Sequence, residues 1–433
     1  MPVLSASAFL DAYSRLNSDR RPGMPATRKV QSPVGYPGGP VWSNSDDCQA
    51  AATASTDRRG PRCLNVAPAT AGAPGRMFAC RPGSAGWMKL PPSRGCLSAW
   101  LVTTLTSADP AVQDHGPVPP VPGLRPDRPA WHDDDLQLAL WCCYELHYRG
   151  FDDVDERWEW NPAVIGFRGT LEQRWLASLR GFAGRSAVPS AAVPDMLTGL
   201  ARRTGGPDLS GYLAREADKG QFTEYVAHRS VYQLKEADPH SFGIPRLAGP
   251  VKAALVEIQA DEYGGGLPER MHSELFRSTM RWAGLDDGYG HYVPAVPAVT
   301  LAVSNLMSLF ALNRRWLGAL LGHLAALEMT STGPNRRYSA GARRLGADEA
   351  ARRYFDEHVQ ADAVHEQIAA HDLCGGFAAQ RPGASADILF GASCCLALDD
   401  ELARYVLSCW RAGRPSLLLP SAARAPGGEP ARA

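Results

Sequence analysis

Three side chains able to bind a metal recur at i, i+4 and i+7: His358, Asp362 and His365. At 3.6 residues per turn these offsets fall on one stripe of a single helix. Buried, such a stripe leaves imidazole and carboxylate groups unsatisfied unless they meet each other, water or a cation. More candidates sit among apolar neighbours upstream. Glu236 closes a helical segment before Asp238-Pro239, Glu262 precedes a glycine run, His272 follows it, and Glu328 interrupts the apolar stretch Leu317–Met329. Alone, Glu236 reads as a solvated helix end and His272 as a satisfied histidine. Glu328 is harder to set aside, because a carboxylate on so apolar a helix needs a partner. Together the set offers three imidazoles and four carboxylates without a thiolate, which suits two iron or manganese ions better than structural zinc. Two such ions can share the two-electron reduction of O2, which no side chain accomplishes alone.

The elements that must position these groups are helices. Asp133-Asp134-Asp135 leads into the apolar-periodic run Leu136–His147, an acidic start to a helix. Further helical patterns cover about 170–182, 209–237, 246–263, 268–283, 295–330, 346–372 and 386–412. Their breaks are expected at Asp238-Pro239, Gly264–Gly266, Pro294, Gly333-Pro334 and Gly375-Gly376. Strand-like alternation is nearly absent. The expected fold is all-α: a helical bundle over 129–415, a long, mostly disordered Pro/Gly/Ser-rich extension over 1–128, and a flexible tail over 416–433.

Composition removes several functions. Among 433 residues, 45 basic groups balance 45 acidic ones, which argues against a dedicated nucleic-acid or membrane-surface binder. No stretch reaches the roughly 18 apolar residues of a membrane helix. A cytoplasmic protein of bacterial type is expected, its basic charge carried almost wholly by Arg. None of the ten cysteines forms a C-x-x-C pair, so disulfide scaffolds and zinc ribbons fit poorly.

Two templates fit the ligand inventory. A ferritin-like bundle would use Glu269-Arg-Met-His272 and Asp362-Ala-Val-His365, with Glu236 and Glu328 as single carboxylates. The second template is the heme-oxygenase-like diiron oxidase and oxygenase family, also called iron-containing redox enzymes. The chain resembles this family in Glu236, in Glu262 ten residues before His272, in Glu328, and in His358-x-x-x-Asp362-x-x-His365. The segments Leu234–Pro245, Ala260–Gly266, Tyr144–Phe151 and Ala392–Leu398 also look like it. His358 decides for the second template, because the ferritin-like pattern has no use for it.

The resemblance, covering roughly 131–415, implies that Glu236, Glu262, His272, Glu328, His358, Asp362 and His365 hold two irons and carry the catalysis. It implies O2 as co-substrate and a small amine- or acid-bearing substrate that is N-oxygenated, desaturated or cleaved at a C–C bond. An external electron donor and a homodimer are compatible with it. Glu269, Glu145 and His147 are left with supporting or structural roles. Two rivals complete the set: a metal-free helical binding protein, and a heme-degrading enzyme with His132 or His147 as axial ligand.

Overall fold

The computed structural model describes residues 88–107, 109–111, 118–120, 129–182, 187–203 and 206–418, apart from the side chains of residues 107 and 361–363. The disorder expected for the rest of the extension, and for most of the tail, lies outside the described residues. Among the described residues there is no strand; every regular element is a helix.

The helical domain begins earlier than the expected boundary at residue 128. Helix α1 (Cys96–Ser107) buries Leu97, Leu101 and Leu105 in the main core. It is anchored by helix α2 (Asp134–Glu145), whose Asp135 carboxylate accepts from the backbone N–H of Leu97 and Ser98, both at 2.8 Å. That carboxylate satisfies orphan donors at the α1 N-terminus. Asp133 performs the same service for α2 through Leu136 N. Thus one Asp of the acidic triplet starts α2 and another ties α1 down.

The remaining elements are α3 (Pro162–Leu179), α4 (Val193–Ala201), α5 (Leu209–Arg215), α6 (Lys219–Gln233), α7 (Gly249–Glu262), α8 (His272–Trp282), α9 (Ala298–Leu312), α10 (Leu317–Arg344), α11 (Glu349–Gln367) and α12 (Ser385–Arg411). The stretch 209–237, expected as one helix, breaks because Asp218 and Gln221 form a reciprocal capping box that restarts it as α6. Likewise 295–330 divides at Asn313 into α9 and α10.

Two expected breaks are absent. Helix α10 runs through Gly333-Pro334, and α11 continues through a π-helical stretch, Ile368–Gly375, into Gly376–Gln380. In α10, packing on both sides of Pro334 outweighs the local penalty. Ahead of it, Gly322 lets the helix touch the Ile388 carbonyl of α12; beyond it, Gly341 does the same against Leu213 of α5. A glycine on α12, Gly391, meets the Ala319 carbonyl in return. These close approaches make α10 and α12 the spine of the domain.

Buried apolar side chains form two clusters. One gathers α1–α4, α7, α9, the first half of α10 and the start of α12. The other gathers α5, α6, α8, the end of α10, the start of α11 and the end of α12. The candidate ligands lie where the two meet, since α7 belongs to the first cluster and α8 and α11 to the second. No described helix is long and apolar enough to cross a membrane.

Candidate metal centre

Four elements bring the candidate groups together. Glu236 follows the C-terminus of α6. Glu262 ends α7, and the glycines Gly264, Gly265 and Gly266, with φ of 65°, 62° and 83°, turn the chain so that His272 opens α8 beside it. A side chain at Gly264 would strike the Arg270–Met271 backbone, so this reversal requires glycine there. Glu328 comes from the middle of α10, and His358 and His365 come from α11.

One ligand atom from each of Glu236, Glu262, His272 and His358 lies within 4.8 Å of all the others. His272 Nδ1 is 2.9 Å from Glu262 Oε2, and His358 Nε2 is 3.8 Å from Glu236 Oε1. Beside this quartet, His365 Nδ1 stands 3.4 Å from Glu328 Oε2. Every one of these residues except Glu236 is buried, and Glu236 is only slightly exposed. Asp362 sits one turn beyond His358 on the α11 backbone, but its side chain lies outside the described residues.

The histidines are held so that one nitrogen faces inward. His358 Nδ1 donates to the Tyr354 carbonyl at 2.8 Å, leaving Nε2 toward Glu236. His365 Nε2 donates to Asp261 Oδ2 at 2.9 Å, leaving Nδ1 toward Glu328. Such outer hydrogen bonds fix the tautomer and orientation of ligating imidazoles. Tyr354 adds a second restraint, its hydroxyl meeting Glu236 Oε1 and Oε2 at 3.1 and 2.8 Å. Three inward-facing atoms, Glu262 Oε2, His272 Nδ1 and His365 Nδ1, are buried and make no well-aligned hydrogen bond, meeting only one another and Glu328 Oε2 at ion-pair distance. A cation placed among them would satisfy all three at once. The donor set therefore fits a pair of hard or borderline metal ions, with Glu262 placed between the two groups of ligands.

Electrostatics carry the same signature. Burial disfavours the Glu262 charge, yet the charges of His272, His358 and His365 win and hold its carboxyl at about 2. Burial likewise opposes protonation of His365, but Glu328 and Asp261 overcome it and lift the imidazole to about 9. Glu328 is raised, by burial first and then by the nearby Glu262 charge. Carboxylates pressed this close together call for positive charge.

The structure brings six of the seven residues expected as ligands together as neighbours, Asp362 being the one whose side chain is not described. The ferritin-like alternative fails on Glu269, which is exposed at the surface, while Glu262 occupies the cluster. The histidines named for a heme reading are engaged elsewhere: His147 Nε2 lies 2.6 Å from Arg168 Nη1, and His132 pairs with Glu401. Glu145 is structural, forming a fully buried 2.8 Å ion pair with Lys235, the residue before Glu236. Asp261 and Tyr354 were missed. Tyr354 precedes His358 by one helical turn, a spacing that could have exposed it. Asp261 looked like one more acidic residue beside Glu262.

Residues 223–400, which contain every candidate ligand, match a family described as iron-containing redox enzymes. Within those residues the chain is similar to an iron-containing redox enzyme domain. The all-helical architecture of the described residues agrees with the fold expected from the resemblance to the heme-oxygenase-like family. The chain is also similar to nitrosourea synthase from Streptomyces achromogenes subsp. streptozoticus, 26% identical over 136 residues. That similarity spans 31% of this chain and 29% of the relative. The chain thus matches less than a third of that relative's length.

Proposed function

We propose that this protein is a non-heme diiron oxidoreductase that uses O2 to oxidise a small metabolite bearing an amine or acid group. The observation that carries the proposal is the convergence of two ligand groups on Glu262, with three buried metal-binding atoms facing inward and meeting only one another and Glu328. In this reading Glu236, Glu262, His272 and His358 would hold one iron. Glu328, Asp362 and His365 would help to hold the other beside Glu262, with Asp362 assigned from the family resemblance. Two irons would supply paired one-electron changes for the reduction of O2.

The protein's own groups set the conditions for that chemistry. The Tyr354 hydroxyl restrains Glu236, and the Tyr354 carbonyl and Asp261 keep two imidazoles in their ligating tautomers. Leu324 and Leu327 wall the cavity beside Glu262 and Glu328 and limit water there. Among the outcomes the family offers, the named nitrosourea synthase supports nitrogen oxidation ahead of desaturation or C–C cleavage.

The test is anaerobic loading with ferrous iron, followed by admission of air at an oxygen electrode. The expected result is about two irons per chain and iron-dependent O2 uptake. His365→Ala should lose iron while its helical circular dichroism persists. Iron-free protein after loading, or O2 uptake that His365→Ala leaves intact, overturns the proposal.

A further inference from the structure

A second cavity lies against the one that reaches the candidate ligands. The two share Arg229, Tyr232, Leu327, Cys395 and Asp399, so these side chains form the partition between them. The residues that line the second cavity alone are Val303, Leu306 and Met307 of α9, His323 of α10 and Leu398 of α12. Counted to its mouth it encloses about 300 Å³, and its walls leave room for one small molecule rather than for a metabolite. Protein cores leave few such gaps, because the atoms that line them forfeit contacts. A gap kept beside a reaction site calls for an occupant.

Water is a poor one. A buried water takes about three polar partners. Leu306, Met307 and Leu398 are each 1% exposed and bring no strong hydrogen-bonding group. His323 is the single polar residue of the inner wall; burial keeps its imidazole neutral, and its Nδ1 already meets His240 Nε2 at 3.2 Å. In the partition, Arg229 is held by Asp399 at 2.7 Å and by the Tyr338 hydroxyl. Burial pushes the Cys395 thiol up, so it stays protonated and uncharged. The inner wall is thus apolar and, with the sulfurs of Met307 and Cys395, polarisable. Such a wall holds a small uncharged gas by dispersion, as dry apolar cavities hold xenon.

We propose that this chamber is a binding site for molecular oxygen, held there before it passes the partition to the metal ligands. The metal cavity itself is lined by Glu236, Glu262 and Glu328, whose polarity favours water over an apolar gas. An adjoining apolar chamber raises the amount of O2 at hand. That O2 is the gas consumed rests on the diiron reading above. The gas site does not, because none of the five inner-wall residues is a proposed ligand.

Xenon, also small, apolar and polarisable, is the probe. Crystals of the full-length, metal-free protein are pressurised with it, and its position is read from anomalous scattering. A peak is expected among Leu306, Met307 and Leu398 in wild type, and none there in Leu306→Phe, whose ring fills the space. Should Leu306→Phe fail to fold, Val303→Phe fills the chamber from a position that is only half-buried. In iron-loaded protein at the oxygen electrode, the filled variant should need on the order of threefold more O2 for half-maximal uptake while keeping its maximal rate. The inference is overturned if wild type shows no xenon in the chamber, or if filling the chamber leaves the O2 dependence unchanged. Xenon in the chamber of a protein that takes up no iron would sustain the gas site and sink the diiron reading. Two irons per chain with no xenon in the chamber would do the reverse.

Discussion

Removing the Lys235 charge should be among the most damaging single changes in this domain. Lys235 Nζ lies 2.8 Å from Glu145 Oε2, with the two side chains 1% and 0% exposed. The ammonium also faces the Tyr148 ring at 4.5 Å and the Trp141 ring at 5.4 Å. Lys235→Met keeps the aliphatic stem but strands a buried carboxylate, whose remaining partner is the Tyr289 hydroxyl at 2.8 Å. Breaking one side of a buried ion pair costs about 3–5 kcal/mol, and the Tyr289 hydrogen bond places the expectation near the lower end. Adding Glu145→Gln removes the stranded charge while still accepting from Tyr289, so the double variant should recover about 2 kcal/mol. Urea unfolding followed by circular dichroism measures both. Because Lys235 directly precedes Glu236, the single variant should also bind ferrous iron more weakly. A single-variant loss below about 1 kcal/mol, or a double variant as unstable as the sum of its parts, would refute the reasoning.

Three further outcomes follow from the geometry. Tyr354→Phe keeps the ring against Phe276 and Phe355 but frees both Glu236 oxygens; chelator competition should show iron affinity falling about 10–100-fold with the fold intact. Gly322→Ala places a methyl into the Ile388 carbonyl of α12, and should cost about 1–3 kcal/mol in urea unfolding through forced separation of the helices. In metal-free protein the His365 imidazole is raised from 6.5 to about 9, so its stabilising contribution is complete below pH 6.5 and disappears as pH rises through 9. Thermal denaturation in chelator should show that decline, and His365→Gln should flatten it.

The ligand stripe on α11 was legible because helical periodicity alone brings His358 and His365 to one face. Glu328 was legible because a carboxylate in so apolar a helix has nowhere else to go. Other features depended on contacts that no local pattern encodes. The order of α1 comes from Asp135, some forty residues downstream, capping its N-terminus. The persistence of α10 through Pro334 comes from glycine contacts with α5 and α12. Asp261 became visible only when α7 and α11 were brought together, since it holds His365 from 104 residues away. Nothing local marks Lys235, yet the fold buries it against a glutamate 90 residues earlier.

The most direct test of the two-metal account is a crystal of anaerobically iron-loaded protein, measured with anomalous scattering at the iron absorption edge. The account predicts two peaks flanking Glu262, one among Glu236, His272 and His358 and one beside Glu328 and His365. A single peak, no peak, or iron seated instead at the buried His240–His323 pair, whose nitrogens stand 3.2 Å apart, would contradict it.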